Sequence, residues 1–77
     1  MITIVKHHMQ GCSWCKKWDE EVKPYLDPAW TFVQVIGGAS SFPTFVIDVD
    51  GKTKKLVGFQ EMSEIHAAVQ ELKNGTN

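Results

Sequence analysis

At 77 residues, 43% hydrophobic, 22% charged and with a formal net charge of −1, the chain has room for one domain, residues 1–77, of ordinary globular composition. Its lysines and acids are interspersed, so it lacks the basic face that nucleic-acid or membrane-surface binding requires. No apolar run approaches the roughly 20 residues that span a bilayer, and Met1-Ile-Thr-Ile-Val-Lys-His-His8 lacks the apolar core and cleavage site of a secretion signal, so a cytosolic monomer is expected.

Ile2 to Lys6 is short, β-branched and apolar, and predicts a first strand. A polar stretch from His7 to Gly11 leads to a helical pattern. Cys15, Trp18, Val22 and then Tyr25 or Leu26 recur at steps of three and four and share one face. Pro24 ends or kinks this helix, and Asp27-Pro28 marks a loop. Trp30 to Ile36 predicts a second strand, parallel to the first through a right-handed β-α-β crossover. Gly37-Gly38-Ala39-Ser40-Ser41 is a small polar connection. Thr44 to Val49 is nearly all apolar and predicts a central strand covered on both faces. Asp50-Gly51 signals a hairpin, and Lys52 to Val57 returns as a lysine-rich edge strand. After Gly58, a stripe of Met62, Ile65, Val69 and Leu72 predicts a last helix ending at Asn74-Gly75. The order is β-α-β-β-β-α, an α/β fold with a four-stranded mixed sheet.

The chemistry is concentrated in Cys12-Ser13-Trp14-Cys15. The pair follows a strand and opens a helix. A helix start presents unpaired N–H groups and a partial positive charge, which favour a thiolate. A thiol of ordinary pKa near 8.5 can fall to roughly 3.5–7.5 in such a place. Cys12, at the tip, is the expected nucleophile, forming a mixed disulfide with a substrate. Cys15, one turn in and on the buried face, is expected to attack Cys12 and release the reduced substrate. A close pair also fits a metal site. Zinc with His7 and His8, or an iron–sulfur cluster, is the alternative from another class, although the side chains of adjacent strand residues diverge. Trp14 is a candidate platform for a substrate chain, and His8 a candidate neighbour of Cys12.

Gly11-Cys12-Ser13-Trp14-Cys15-Lys16-Lys17, then Ser41-Phe42-Pro43-Thr44, then Val57-Gly58-Phe59 before a terminal helix, together resemble a small glutaredoxin-like redoxin of the thioredoxin/glutaredoxin superfamily. The likeness covers nearly the whole chain. It implies a dithiol–disulfide oxidoreductase with Cys12 and Cys15 as the catalytic pair. It places a cis-proline at Pro43, facing the cysteines. The backbone of Phe42 would then pair with an incoming extended chain. Substrate-binding roles fall on Trp14, Phe42, Pro43, Gly58 and Phe59. The implied substrate is a protein disulfide, with ribonucleotide reductase as one client. The implied electron donor is glutathione or a thioredoxin-reductase-like flavoprotein, and no bound cofactor or metal is called for.

Two departures from that family stand out. Only residues 37 to 42 separate the second and third strands, too few for the helix the family carries there, so the fold is expected to be minimal and one sheet face thinly covered. Trp18, Trp30 and other large side chains are expected to compensate. Second, Gly58-Phe59-Gln60-Glu61-Met62 keeps one glycine of the glutathione-binding segment but lacks the acidic cap at its usual place.

Overall fold

A computed structural model describes residues 1–75; the last two residues of the expected domain lie outside the described ones. The chain forms β1 (Ile2–His8), α1 (Ser13–Glu21), a 3-10 turn (Lys23–Tyr25), β2 (Thr31–Ile36), β3 (Thr44–Val49), β4 (Lys52–Val57) and α2 (Met62–Lys73). The sheet runs β2-β1-β3-β4. β2 is parallel to β1, while β3 is antiparallel to both β1 and β4. This is the expected minimal α/β arrangement.

Register fixes which residues share a face, because directly opposed residues point the same way. Ile4 lies opposite Phe32 on one side and Ile47 on the other; Lys6 lies between Gln34 and Phe45. Both helices pack on this face. Its core unites Ile4, Phe45, Ile47 and Val49 with Trp18 and Val22 near α1 and with Ile65, Ala68, Val69 and Leu72 of α2. Burying such side chains contributes roughly 1.5–3 kcal/mol each, offsetting the chain entropy lost on folding.

The other face carries Val5, Val33 and Val46 in one row and His7, Val35 and Val57 in the next. No described helix covers it, and Val57 is 58% exposed. Two expectations are corrected here. β3 is central in the sheet but covered on one face only, with Val46 and Asp48 half-buried. Trp18 and Trp30 do not shield the open face: Trp18 packs on Phe32 and Phe45, and Trp30 rests on His66 of α2. Shape explains this, since both residues attach to segments that already lie on the helical side.

The missing helix is replaced by a tight crossing over the end of β1. The Gly37 N–H donates to the His8 carbonyl at 2.8 Å, and the Gly37 carbonyl lies 2.9 Å from His7 Nδ1. Gly38 follows at φ +81°, where a Cβ would meet the His7 ring at 2.9 Å. Only glycine fits that left-handed position without strain. At the opposite sheet end, Asp50 and Gly51 both have positive φ, the signature of a type I′ hairpin, and Asp50 pairs with the Met1 amine.

Pro24 ends α1 as expected, and the 3-10 turn that follows swings Tyr25 out to solvent. Leu26, not Tyr25, continues the apolar face of the helix.

Candidate active site

Four segments end at one edge of the sheet. β1 leaves at His8 and leads into α1. β3 enters at Thr44, which pairs with His7 and with Val57, the last residue of β4. The loops 9–12, 41–43 and 58–61 therefore meet where strand β1 delivers the cysteines.

Cys12 is the N-cap of α1, with extended backbone at φ −80°, ψ 107°, and is half-buried. Its Sγ accepts the N–H of Cys15 at 3.1 Å. The sulfur thus takes the place that a Ser or Asp side chain takes at an ordinary N-cap. No acid stands in the first turn of α1 to neutralise the amide dipoles. Cys15 is fully buried on the sheet side of the helix. The two are joined as a disulfide, with Cα atoms 5.3 Å apart. One sulfur is thus accessible and held by an amide, and the other waits behind it. This geometry supports thiol–disulfide exchange: the amide that now faces a neutral sulfur would face an anion once the bond is reduced.

The Phe42–Pro43 peptide bond is cis. Pro43 is buried and Phe42 half-buried. The Pro43 carbonyl accepts the N–H of Gly58 at 2.8 Å, tying the 41–43 loop to the segment before α2. Gly58 has φ +91° and lets that segment turn. Phe59 then packs against the core and meets the Trp14 ring edge-on, at a centroid distance of 5.9 Å. Trp14 is 56% exposed, and Lys17 Nζ sits over both rings, 5.1 Å from Trp14 and 5.8 Å from Phe59. Trp14, Gly58 and Phe59 thus form one continuous flank, joined to Pro43 through the Gly58 bond. On the other flank, His8, Gln10, Gly11, Ser13, Lys16 and Asp19 line a cleft of about 540 Å³ that includes Cys12.

Glu61 is the N-cap of α2, its N–H donating to Glu64 Oε1 at 2.9 Å. An acid thus stands at the cap, while the place the resembled family's acid takes, counted from Gly58, holds Met62. His7 and His8, which a zinc site would need, turn to different partners, His7 to the Gly37 carbonyl and His8 Nδ1 to Lys6 Nζ at 2.9 Å. Among the described residues no group of three or more His, Cys, Asp or Glu could hold a metal ion.

Three participants escaped the sequence reading. Lys6 is fully buried under α1. Its signal was present, since it is in phase with Ile2 and Ile4 on a strand. Asp19 is its counter-ion at 2.6 Å. Gln60 is buried and its carbonyl accepts Trp18 Nε1–H at 2.9 Å, linking α1 to the 58–61 segment. Nothing in the sequence marked that pairing.

No protein-family model matches the sequence. No curated protein matches it either. Among solved structures, the chain is similar to the crystal structure of the periplasmic thioredoxin SoxS from Paracoccus pantotrophus in its reduced form. The TM-score is 0.65 at 17% identity, covering 96% of this chain and 97% of that one. The cytosolic location expected from the first residues is corrected on this finding: the neighbour is a periplasmic protein. The chain therefore has a thioredoxin-like fold, with a close cysteine pair at the head of its first helix.

Proposed function

We propose that the protein is a dithiol–disulfide oxidoreductase that reduces disulfides in protein substrates through Cys12 and Cys15. The observation that carries this reading is the N-cap position of Cys12, its Sγ on the Cys15 amide and Cys15 buried behind it. In the reaction, the Cys12 thiolate attacks a substrate disulfide, and one substrate sulfur leaves as thiolate. Cys15 then loses its proton, attacks Cys12 Sγ and frees the second substrate sulfur, leaving the internal disulfide. A reductant restores the pair. Trp14 and Phe59 form the flank on which the substrate chain lies, and the backbone of Phe42 pairs with it.

The sequence argument took the direction of the reaction from a reducing cytosol. With that location overturned, direction rests on the reduction potential of the pair against its donor. The likeness to a periplasmic thioredoxin supports work outside the cytosol. The donor is a dithiol flavoprotein of the thioredoxin-reductase kind or glutathione.

Coupled turnover of a protein disulfide, run separately with glutathione plus its reductase and with thioredoxin reductase, tests the reading. Cys12→Ser is expected to abolish turnover with both donors. Cys15→Ser is expected to accumulate a mixed disulfide on Cys12, seen by mass spectrometry. Turnover that survives Cys12→Ser sinks the assignment.

A further inference from the structure

A fully buried lysine sits under α1, bonded to the carbonyl of Cys15, and the exchange chemistry described above does not use it. Lys6 Nζ donates to the Cys15 carbonyl at 3.2 Å, to Asp19 Oδ1 at 2.6 Å and to Gln34 Oε1 at 3.4 Å, and lies 2.9 Å from His8 Nδ1. The ring of Trp18 is 5.4 Å away. Phe45 is its β3 neighbour. Of these neighbours, only Asp19 is an acid, and His8 is the other titratable group.

Ion and counter-ion differ in exposure. The Lys6 side chain is 0% exposed and that of Asp19 is 30% exposed, on the wall of the cleft beside Cys12. Water in that cleft screens the carboxylate, while the ammonium acts through protein. Unequal screening of this kind would keep the pair from cancelling fully and leave a positive balance under the first turn of α1, where the ammonium meets the Cys15 carbonyl. Stability alone gives little reason for this arrangement, since replacing a buried ion pair by apolar residues is often neutral or better.

We propose that Lys6 tunes the cysteine pair, its buried ammonium stabilising the thiolate that reduction creates and so making the disulfide a stronger oxidant. The inference rests on the redox reading of Cys12 and Cys15. The balanced step is disulfide plus dithiol reductant giving Cys12 thiolate, Cys15 thiol, the reductant's disulfide and one released proton. The internal S–S bond breaks, the pair gains two electrons and the dithiol loses them. Charge appears only on the reduced side, so a fixed cation favours that side. Lys6 touches no substrate and acts as a positioning charge.

The test is a charge-sign comparison of Lys6→Met, Lys6→Gln and Asp19→Asn. Two quantities are read: the ionisation of the Cys12 thiol, followed by ultraviolet thiolate absorbance, and the equilibrium with glutathione redox buffers. Removing the cation should raise the pH at which Cys12 ionises and shift the equilibrium about tenfold toward the disulfide, or about 30 mV. Asp19→Asn removes the anion and should move both quantities the opposite way. Urea unfolding of each variant reports structural damage, which would move both sites in one direction. Shifts of the same sign, or no shift in either Lys6 variant, overturn the proposal. If the wild-type disulfide fails to exchange at all, the redox reading falls instead. The thiol ionisation of chemically reduced variants still decides on Lys6.

Discussion

Replacing Trp18 by phenylalanine tests how the small core holds the site in place. The indole is fully buried, stacked 5.8 Å from Phe32 and tilted 4.7 Å from Phe45, with its N–H on the Gln60 carbonyl at 2.9 Å. Phenylalanine keeps one ring but cannot donate. A buried carbonyl left without its partner costs about 1–3 kcal/mol. The smaller ring gives up on the order of 1 kcal/mol of apolar burial. Together that is roughly 2–4 kcal/mol. A chain of this length is held by about 4–12 kcal/mol in all, so Trp18→Phe removes a large fraction. With a urea slope near 1 kcal/mol/M for a small domain, the midpoint should fall by roughly 2 M or more. Trp14→Phe is the control: that side chain is largely exposed, and its stability should stay within about 0.5 kcal/mol of the parent, a midpoint change of about 0.5 M. The Trp18 bond also anchors the segment that bears Phe59, so turnover should weaken before the protein unfolds. A midpoint for Trp18→Phe equal to that of Trp14→Phe would refute the reasoning.

Other outcomes follow from single positions. Gly38→Ala places a Cβ 2.9 Å from the His7 ring at φ +81°, and should cost about 1–3 kcal/mol in urea unfolding. Gly11→Ala, with open space around it, should cost less, since only its own positive φ is strained. Asp50 is held below its ordinary value of 3.8, first by a hydrogen bond from the Met1 amine and then by that amine's charge. A lowered folded-state pKa gives stability that is present above the unfolded value and lost as pH falls through the folded one. The stability gap between the parent and Asp50→Asn should therefore be constant between about pH 5 and pH 7 and close below about pH 4. A gap that widens on acidification would contradict that sign.

How far the sequence could be read depended on how local the deciding physics was. The hairpin was legible because Asp50-Gly51 is a strong turn signal between an apolar strand and a lysine-rich one that returns beside it. The helix start at the cysteines was legible because the apolar spacing begins there. The closing stripe of α2 was legible for the same reason, with Ala68 joining it in the structure. The loss of the inter-strand helix followed from simple length. That the tryptophans leave the open face bare did not follow, because Trp18 is directed by Phe32 and Phe45 and Trp30 by His66 of α2, partners that no window of sequence contains. Lys6 closed the predicted first strand and was assigned no role of its own. Its burial depends on Asp19, Gln34 and the Cys15 carbonyl, which lie 13, 28 and 9 residues away. The flank made by Trp14 and Phe59 likewise joins residues brought together only by the fold.

Thiol ionisation in the freshly reduced protein, followed by thiolate absorbance and by the pH dependence of alkylation at each cysteine, bears most directly on the whole account. The account predicts that Cys12 alone reacts with the alkylating agent in the folded state and ionises well below the ordinary value of roughly 8.5. Equal reactivity of Cys12 and Cys15, or a Cys12 thiol that ionises at or above that ordinary value, would contradict it.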